Sequence, residues 1–360
     1  MKTTAASMLF AFALFFPGAH AVTFDWATVG NPGNASDSEV MNDGTTGYGS
    51  VGYAYRISKH EVTNAQYAEF LNAVDPTGAN LDLGGGDGFL YDSNMSGNFG
   101  GIENTGTVDG AHYVAQTGRE QNPVTHVSFF DAMRFVNWLH NGQGGGGTES
   151  GVYTIGTGLD EIRSTNAKFW IPSEDEWYKA AHYDPSGVYY DYPTGTDTVP
   201  YSDNPASLNT PDDTNVANFY KNDAIANGYD DGYAVSGSTS FPTNTNPFID
   251  VGAYTAAASP YGTFDQGGNV TEWNESVTNL GLPGGPYYRG IRGGRRSTSQ
   301  PATVSFCGAN FGTAASPRRR SASMVFAWQV SLSQVRCCWA AWQRADSWFL
   351  RSRARPQKSD

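Results

Sequence analysis

The stretch Tyr261-Gly-Thr-Phe-Asp-Gln-Gly-Gly-Asn-Val-Thr-Glu-Trp273 decides how the chain is read. It sets two carboxylates, Asp265 and Glu272, on either side of Gly267-Gly268. Glycine lets the chain turn tightly and brings main-chain carbonyls near one point. Carboxylates and carbonyls are the hard oxygen ligands that Ca²⁺ gathers, about six to eight at a time. Asp, Asn and Gly also build ordinary hydrogen-bonded turns. The stretch therefore predicts either a cation loop or a turn.

Four further segments accompany it along the chain. They are Glu61-Val-Thr-Asn-Ala-Gln-Tyr67, Asn122-Pro-Val-Thr-His-Val-Ser-Phe-Phe-Asp-Ala132, Ile171-Pro-Ser-Glu-Asp-Glu-Trp177 and Arg289-Gly-Ile-Arg-Gly-Gly294. With G-x-x-D-x-x-G-N-V-x-E-W, these resemble, in order, the motifs of the formylglycine-generating enzyme (sulfatase-modifying factor) family. The likeness runs from about Tyr53 to Gly294. It implies an α+β fold with much irregular loop, related to the C-type-lectin-like arrangement, as one domain over residues 47–294.

The resemblance also implies structural calcium. A first site would use the side chains of Asp265 and Glu272 and the carbonyls of Gly268 and Val270, with Asp265 where relatives commonly carry Asn. An Asp adds negative charge, which favours a cation. A second site would use Asn218, the carbonyl of Phe219, Asp231 and the carbonyl of Tyr233. It rests on the likeness of Ala217-Asn-Phe219 and Asp230-Asp-Gly-Tyr233 to the family's other calcium loop. Asp230 could replace Asp231, and a solvated acidic loop is the competing expectation there.

Active oxidases of the family hold Cu(I) on two cysteines shortly after R-G-G-S. The soft ion suits thiolates. The corresponding positions here are Thr298 and Thr303, with Arg295 in place of the Ser and Thr271 in place of a Trp. Hydroxyls do not replace thiolates for Cu(I), and Cys307 has no partner at the required spacing. Copper and cysteine oxidation are therefore not expected of the chain as written.

The N-terminus reads as a secretory signal over residues 1–21. Lys2 supplies charge, Met8 to Phe16 an apolar core, and Ala19-His-Ala21 a small-x-small cleavage site. The apolar core is too short to cross a bilayer. The mature chain is expected to begin near Val22, to lie outside the cytosol (secreted, periplasmic or at the cell surface), and to open with an irregular lead-in over 22–46.

Charge divides the chain. Before Arg296 there are 12 Lys and Arg against 33 Asp and Glu, and from Arg296 onward 10 against 2. An acidic body repels nucleic acid. All three cysteines, Cys307, Cys337 and Cys338, lie in the basic tail, so no disulfide framework supports the body. Residues 295–360 lack the family's closing strand. They are either the product of a shifted reading frame near Gly294 or a genuine basic tail.

Three helices are predicted by their opening signals. Thr63 with Gln66, Ser128 with Asp131, and Ser173 with Glu176 have capping-box spacing. Strands are expected near Tyr53–Ile57 and Val152–Ile155, a hairpin near Phe89-Leu90-Tyr91, and sparse regular structure from Tyr183 to Tyr261. Glu174, Asp175 and Glu176 are expected to serve a cap and helix dipole, and Glu61 and Arg56 to pair or be solvated. Tyr189 to Tyr192 with Tyr201 and Tyr220 are expected to fill gaps rather than bind ligand. The six histidines show no metal-binding spacing.

Two function classes remain. One is a non-catalytic, calcium-stabilised domain whose loops bind an extracellular peptide or glycan. The other is a formylglycine-generating oxidase whose catalytic C-terminus is corrupted in this sequence.

Overall fold

Three serine or threonine caps start the three helices. In the computed structural model, α1 spans Asn64–Val74, α2 Phe129–His140 and α3 Glu174–His182. Each opens on a complete capping box: the cap hydroxyl accepts the N3 amide while the N3 side chain accepts the cap amide. The described residues are 21–41, 44–80, 89–158, 160–242, 244–279, 287–294, 313–315 and 327–329.

The strands are mostly short. In chain order they are β1 (Trp26–Val29), β2 (Tyr55–Ser58), β3 (Ile102–Asn104), β4 (Tyr113–Ala115), β5 (Tyr183–Asp184), β6 (Val188–Tyr189), β7 (Tyr201–Ser202) and β8 (Val216–Ala217). There follow β9 (Tyr220–Asn222), β10 (Asp231–Tyr233), β11 (Thr271–Asn279), β12 (Tyr287–Gly293), β13 (Thr313–Ala315) and β14 (Ala327–Gln329). Among the described residues there are two three-stranded sheets, ordered β1-β2-β14 and β11-β12-β13, and four two-stranded ones. This is an α+β fold carried largely by loops. No described helix is long and apolar enough to cross a membrane.

α2 lies at the centre, with every residue from Phe129 to Leu139 buried. α1 sends Tyr67, Phe70 and Leu71 to meet it, and Phe70 packs on Phe135 at 5.2 Å and on Trp138 at 5.3 Å. One continuous core joins these to Val29, Tyr55, Ile57, Trp170, Trp273 and Ile291. Burying each such side chain contributes about 1.5–3 kcal/mol, so this core can hold the domain without a disulfide.

Several expectations need correction. The lead-in contains β1, which pairs antiparallel with β2 and buries Ala27 and Val29; alternate residues face the core even though the surrounding sequence is polar. No strand forms at Phe89-Leu90-Tyr91, and the hairpin between α1 and α2 is β3–β4. Val152 and Tyr153 are buried but irregular. The Asn137 side chain occupies the place of a neighbouring strand, accepting from the Tyr153 amide at 2.8 Å and donating to its carbonyl at 2.9 Å. The basic tail is not wholly apart from the body: β13 pairs with β12, and β14 with β2.

In the β11–β12 hairpin, Trp273 opposes Ile291 and Val277 opposes Arg289, with a register shift between. Three residues, Asn274 to Ser276, thus face one, Gly290. The bulge frees Asn274 and Glu275 to meet other elements: Asn274 donates to Glu174, and the Glu275 side chain accepts the Arg163 amide at 3.0 Å.

Candidate functional site

The 261–273 stretch is where the motifs meet. Trp177, at the end of Ile171–Trp177, is fully buried and donates its indole N–H to Glu272 Oε2 at 2.6 Å. Trp273 donates to the Val127 carbonyl at 3.1 Å and packs edge-on against Phe129, both from the 122–132 segment. Asn269 reaches Glu61 in the 61–67 segment, donating to Oε1 at 3.3 Å. Arg289 and Arg292 are each 1 % exposed. Arg289 donates to the carbonyls of Gly158 and Glu161 at 2.8 and 2.9 Å, and Arg292 pairs with Glu174.

Three carboxylates gather here, not two. Glu272 and Glu61 are buried, and each keeps one oxygen, Glu272 Oε1 and Glu61 Oε2, without a hydrogen-bond partner. Asp265 sits at a positive φ of 62° and accepts the Gly252 amide at 2.5 Å. Burial pushes Asp265 up to about 6. Burial, reinforced by the charge of Asp265, pushes Glu272 up to about 8. Glu61 is raised well above the carboxylate range by burial, then by the charges of Asp265 and Glu272. Without a cation this arrangement favours protons over charge.

The carbonyls of the predicted set face the Arg289–Gly294 segment. Gly294 donates its amide to the Gly268 carbonyl at 3.1 Å. A Cβ on Gly294 would lie 2.5 Å from that carbonyl oxygen, and one on Gly293, whose φ is +89°, 2.7 Å from the Val270 oxygen. Only a glycine pair fits over these two oxygens. A void of about 10 Å³ bordered by Asp265, Gln266 and Gly267 lies beside the turn, at the lower limit of space for one water. Among the described residues no three His, Cys, Asp or Glu side chains could hold a metal by themselves. Any ion here would need the Gly268 and Val270 carbonyls as well as the carboxylates.

The second predicted set is arranged differently. Asn218 donates its side-chain amide to the carbonyl of Pro247 at 2.9 Å and to Asn269 Oδ1 at 3.1 Å. The Phe219 carbonyl accepts from Ser202 Oγ and from the Ala234 amide, and the Tyr233 carbonyl from the amides of Ser236 and Gly237. Asp231 accepts the Gly228 amide at 2.9 Å within its own loop. Asp230, the alternative, is buried and pairs with Lys221 at 2.8 Å. In this set the carbonyls of Phe219 and Tyr233 and one oxygen of Asp231 accept from protein donors, while Asn218 uses its side-chain amide as a donor.

Glu61, expected to pair with Arg56 or to be solvated, is instead buried beside the carboxylates of the turn, and Arg56 stacks over Trp26 at 5.6 Å. Glu176 does serve its cap, accepting the Ser173 amide at 2.7 Å, and also binds Arg163 and Trp170. Tyr189 packs on Tyr178 and Tyr183, and Tyr220 on Tyr233. Thr271 begins β11 opposite Gly293. Arg295, Thr298, Thr303 and Cys307 lie outside the described residues. A surface recess of about 270 Å³ lies away from the carboxylates, lined by Tyr53, Arg163, Ser164, Thr165, Ala167 and Trp170.

An α+β, loop-rich scaffold in which these five motifs converge on one turn defines the sulfatase-modifying-factor class. The chain matches the family described as the sulfatase-modifying factor enzyme 1-like domain over residues 37–326, and it belongs to that family. No curated protein matches it significantly. Among solved structures it is similar to CarF, with 16% identity, a TM-score of 0.49, and coverage of 86% of this chain and 100% of that one. It is also similar to Treponema denticola variable protein 1, with 16% identity, a TM-score of 0.46, and coverage of 87% and 97%. For PvdO from Pseudomonas aeruginosa the values are 17%, 0.43, 85% and 92%.

Proposed function

We propose that this is a secreted, non-catalytic member of the family, stabilised by one Ca²⁺ ion, whose loops bind an extracellular peptide or glycan. The ion would be held by Asp265, Glu272 and the carbonyls of Gly268 and Val270, with Glu61 adding negative charge beside it. The observation that carries the calcium reading is the pair of buried carboxylate oxygens, on Glu272 and Glu61, that no protein donor satisfies. A buried charge left this way is costly unless paired. The 261–273 site is preferred to the set of Asn218, Phe219, Asp231 and Tyr233 because unsatisfied buried carboxylate oxygens occur at the first, whereas the buried acid of the second loop, Asp230, is paired with Lys221.

Absence of catalysis rests on residue chemistry. Thr298 and Thr303 stand where active relatives carry their copper-binding thiols, and Thr271 replaces a Trp in the best-matched motif. The recess beside Tyr53 and Trp170 is the leading place for a small ligand group, since it offers aromatic faces and a fixed guanidinium. Arg163 lies 4.9 Å over the Trp170 ring and is held by Glu176 and Glu275. Incubation with Cu(I), O₂ and a Cys-x-Pro-x-Arg peptide should yield no aldehyde. Aldehyde formation would overturn the non-catalytic reading and favour an oxidase.

A further inference from the structure

We infer that Val22 is the N-terminal residue of the mature protein and that its freed amino group docks in a socket built by Gln143 at the end of α2. The inference rests on the reading of the chain as secreted. Three observations meet at this residue. The small-x-small pattern places the scissile bond after Ala21. Val22 is the first described residue to enter the core: Ala21 is exposed, whereas Val22 is 8 % exposed and its side chain joins the main core, with Thr23 and Asp25 exposed beyond it. The main chain of Val22 is also gripped on both sides. Its nitrogen donates to Gln143 Oε1 at 2.6 Å, and Gln143 Nε2 donates to its carbonyl at 3.0 Å.

The socket is not a chance surface contact. α2 stops at Asn141, and the chain then turns through Gly142 and Gln143 at φ of +95° and +61°. The Gln143 amide bonds back to the Trp138 carbonyl at 2.9 Å, which fixes where its side chain starts. A second glutamine continues the grip: Gln66, already part of the α1 cap, donates to the Thr23 carbonyl at 2.9 Å. The carboxyl end of a helix carries partial negative charge and favours a cation. Cleavage before Val22 converts a neutral amide into an ammonium at that place, and a charge-assisted hydrogen bond is stronger than a neutral one. Signal removal would thus complete the domain by locking β1 to the end of α2.

The test uses the full-length gene expressed through a secretory route. Intact mass and N-terminal sequencing of the exported protein should give Val22; any other terminus overturns the inference, and a retained Met1 removes the secretion reading as well. In the Val22-ended protein, Gln143→Ala should lower Tm by about 2–4 °C. Val22 as terminus with an unchanged Tm in Gln143→Ala would overturn the docking alone and leave secretion standing. Gln143→Glu supplies the readout that a merely structural glutamine would not move. Opposite an ammonium it should preserve or raise Tm below about pH 8, the range of a free α-amino group, and lose that advantage as pH rises further. In a protein retaining Ala21, where the Val22 nitrogen is an amide, the same substitution should lower Tm at every pH. Equal behaviour of the two forms would overturn the inference.

Discussion

The turn at 261–273 and the loop at 217–233 are alike as sequence, each mixing Asn, Asp and Gly with an aromatic, and they differ as chemistry. In the loop, the buried Asp230 is neutralised by Lys221 and bonds the Ser202 amide at 2.7 Å. In the turn, Glu272 and Glu61 are buried with an oxygen apiece unsatisfied, and their neighbour Asp265 adds to the repulsion. The difference lies in what the protein provides for each acid: a lysine for Asp230, and no donor for one oxygen each of Glu272 and Glu61. Composition alone does not separate the two cases.

Calcium removal should break the comparison most visibly. If Ca²⁺ is present at about a thousand times its Kd, chelation with EGTA should cost about 4 kcal/mol, read as a fall in Tm. Glu272→Gln should abolish that calcium response, because the neutral amide retains a partner for Trp177 but loses the charge. An undiminished response in Glu272→Gln would place the ion elsewhere. Gly294→Ala should cost roughly 1–3 kcal/mol or more, since a methyl group there meets the Gly268 carbonyl. Lys221→Met should cost about 1–3 kcal/mol by stranding Asp230, and by the same amount with or without calcium.

The pH dependence sharpens the same contrast. In the calcium-free fold burial pushes Asp265 up to about 6 and Glu272 up to about 8, above their unfolded values. Raised carboxylates add stability that is full below the unfolded range near about 4 and is lost as pH climbs through the folded values. The calcium-induced rise in Tm should therefore be larger at about pH 8 than at about pH 5. A flat profile would mean that these groups do not exchange protons for the ion. Smallest of all, Asp231→Asn should change stability by less than about 0.5 kcal/mol and leave the calcium response intact.

Local chemistry was readable from the chain. Each capping box is a short-range pattern and formed at the position its residues specified. The Asp265–Glu272 pairing was visible because a single turn carries both. Glu61 was not, since the bond from Asn269 that brings it in crosses 208 positions of sequence. The buried face of β1 was hidden by its polar surroundings, and the irregular path at Val152-Tyr153 by the work of one distant side chain, Asn137. Such features depend on what an element is packed against, which periodicity does not record.

The bulge between Trp273 and Val277 bears on which changes of length this hairpin can accept. Losing one residue from Asn274–Ser276 would leave two residues facing Gly290, which a bulge still absorbs with the flanking pairs on their present faces. Losing two would leave one residue facing one and erase the bulge, so Asn274 and Glu275 could no longer both leave the ladder for Glu174 and Arg163. The hairpin should thus accept a one-codon deletion here far better than a two-codon one.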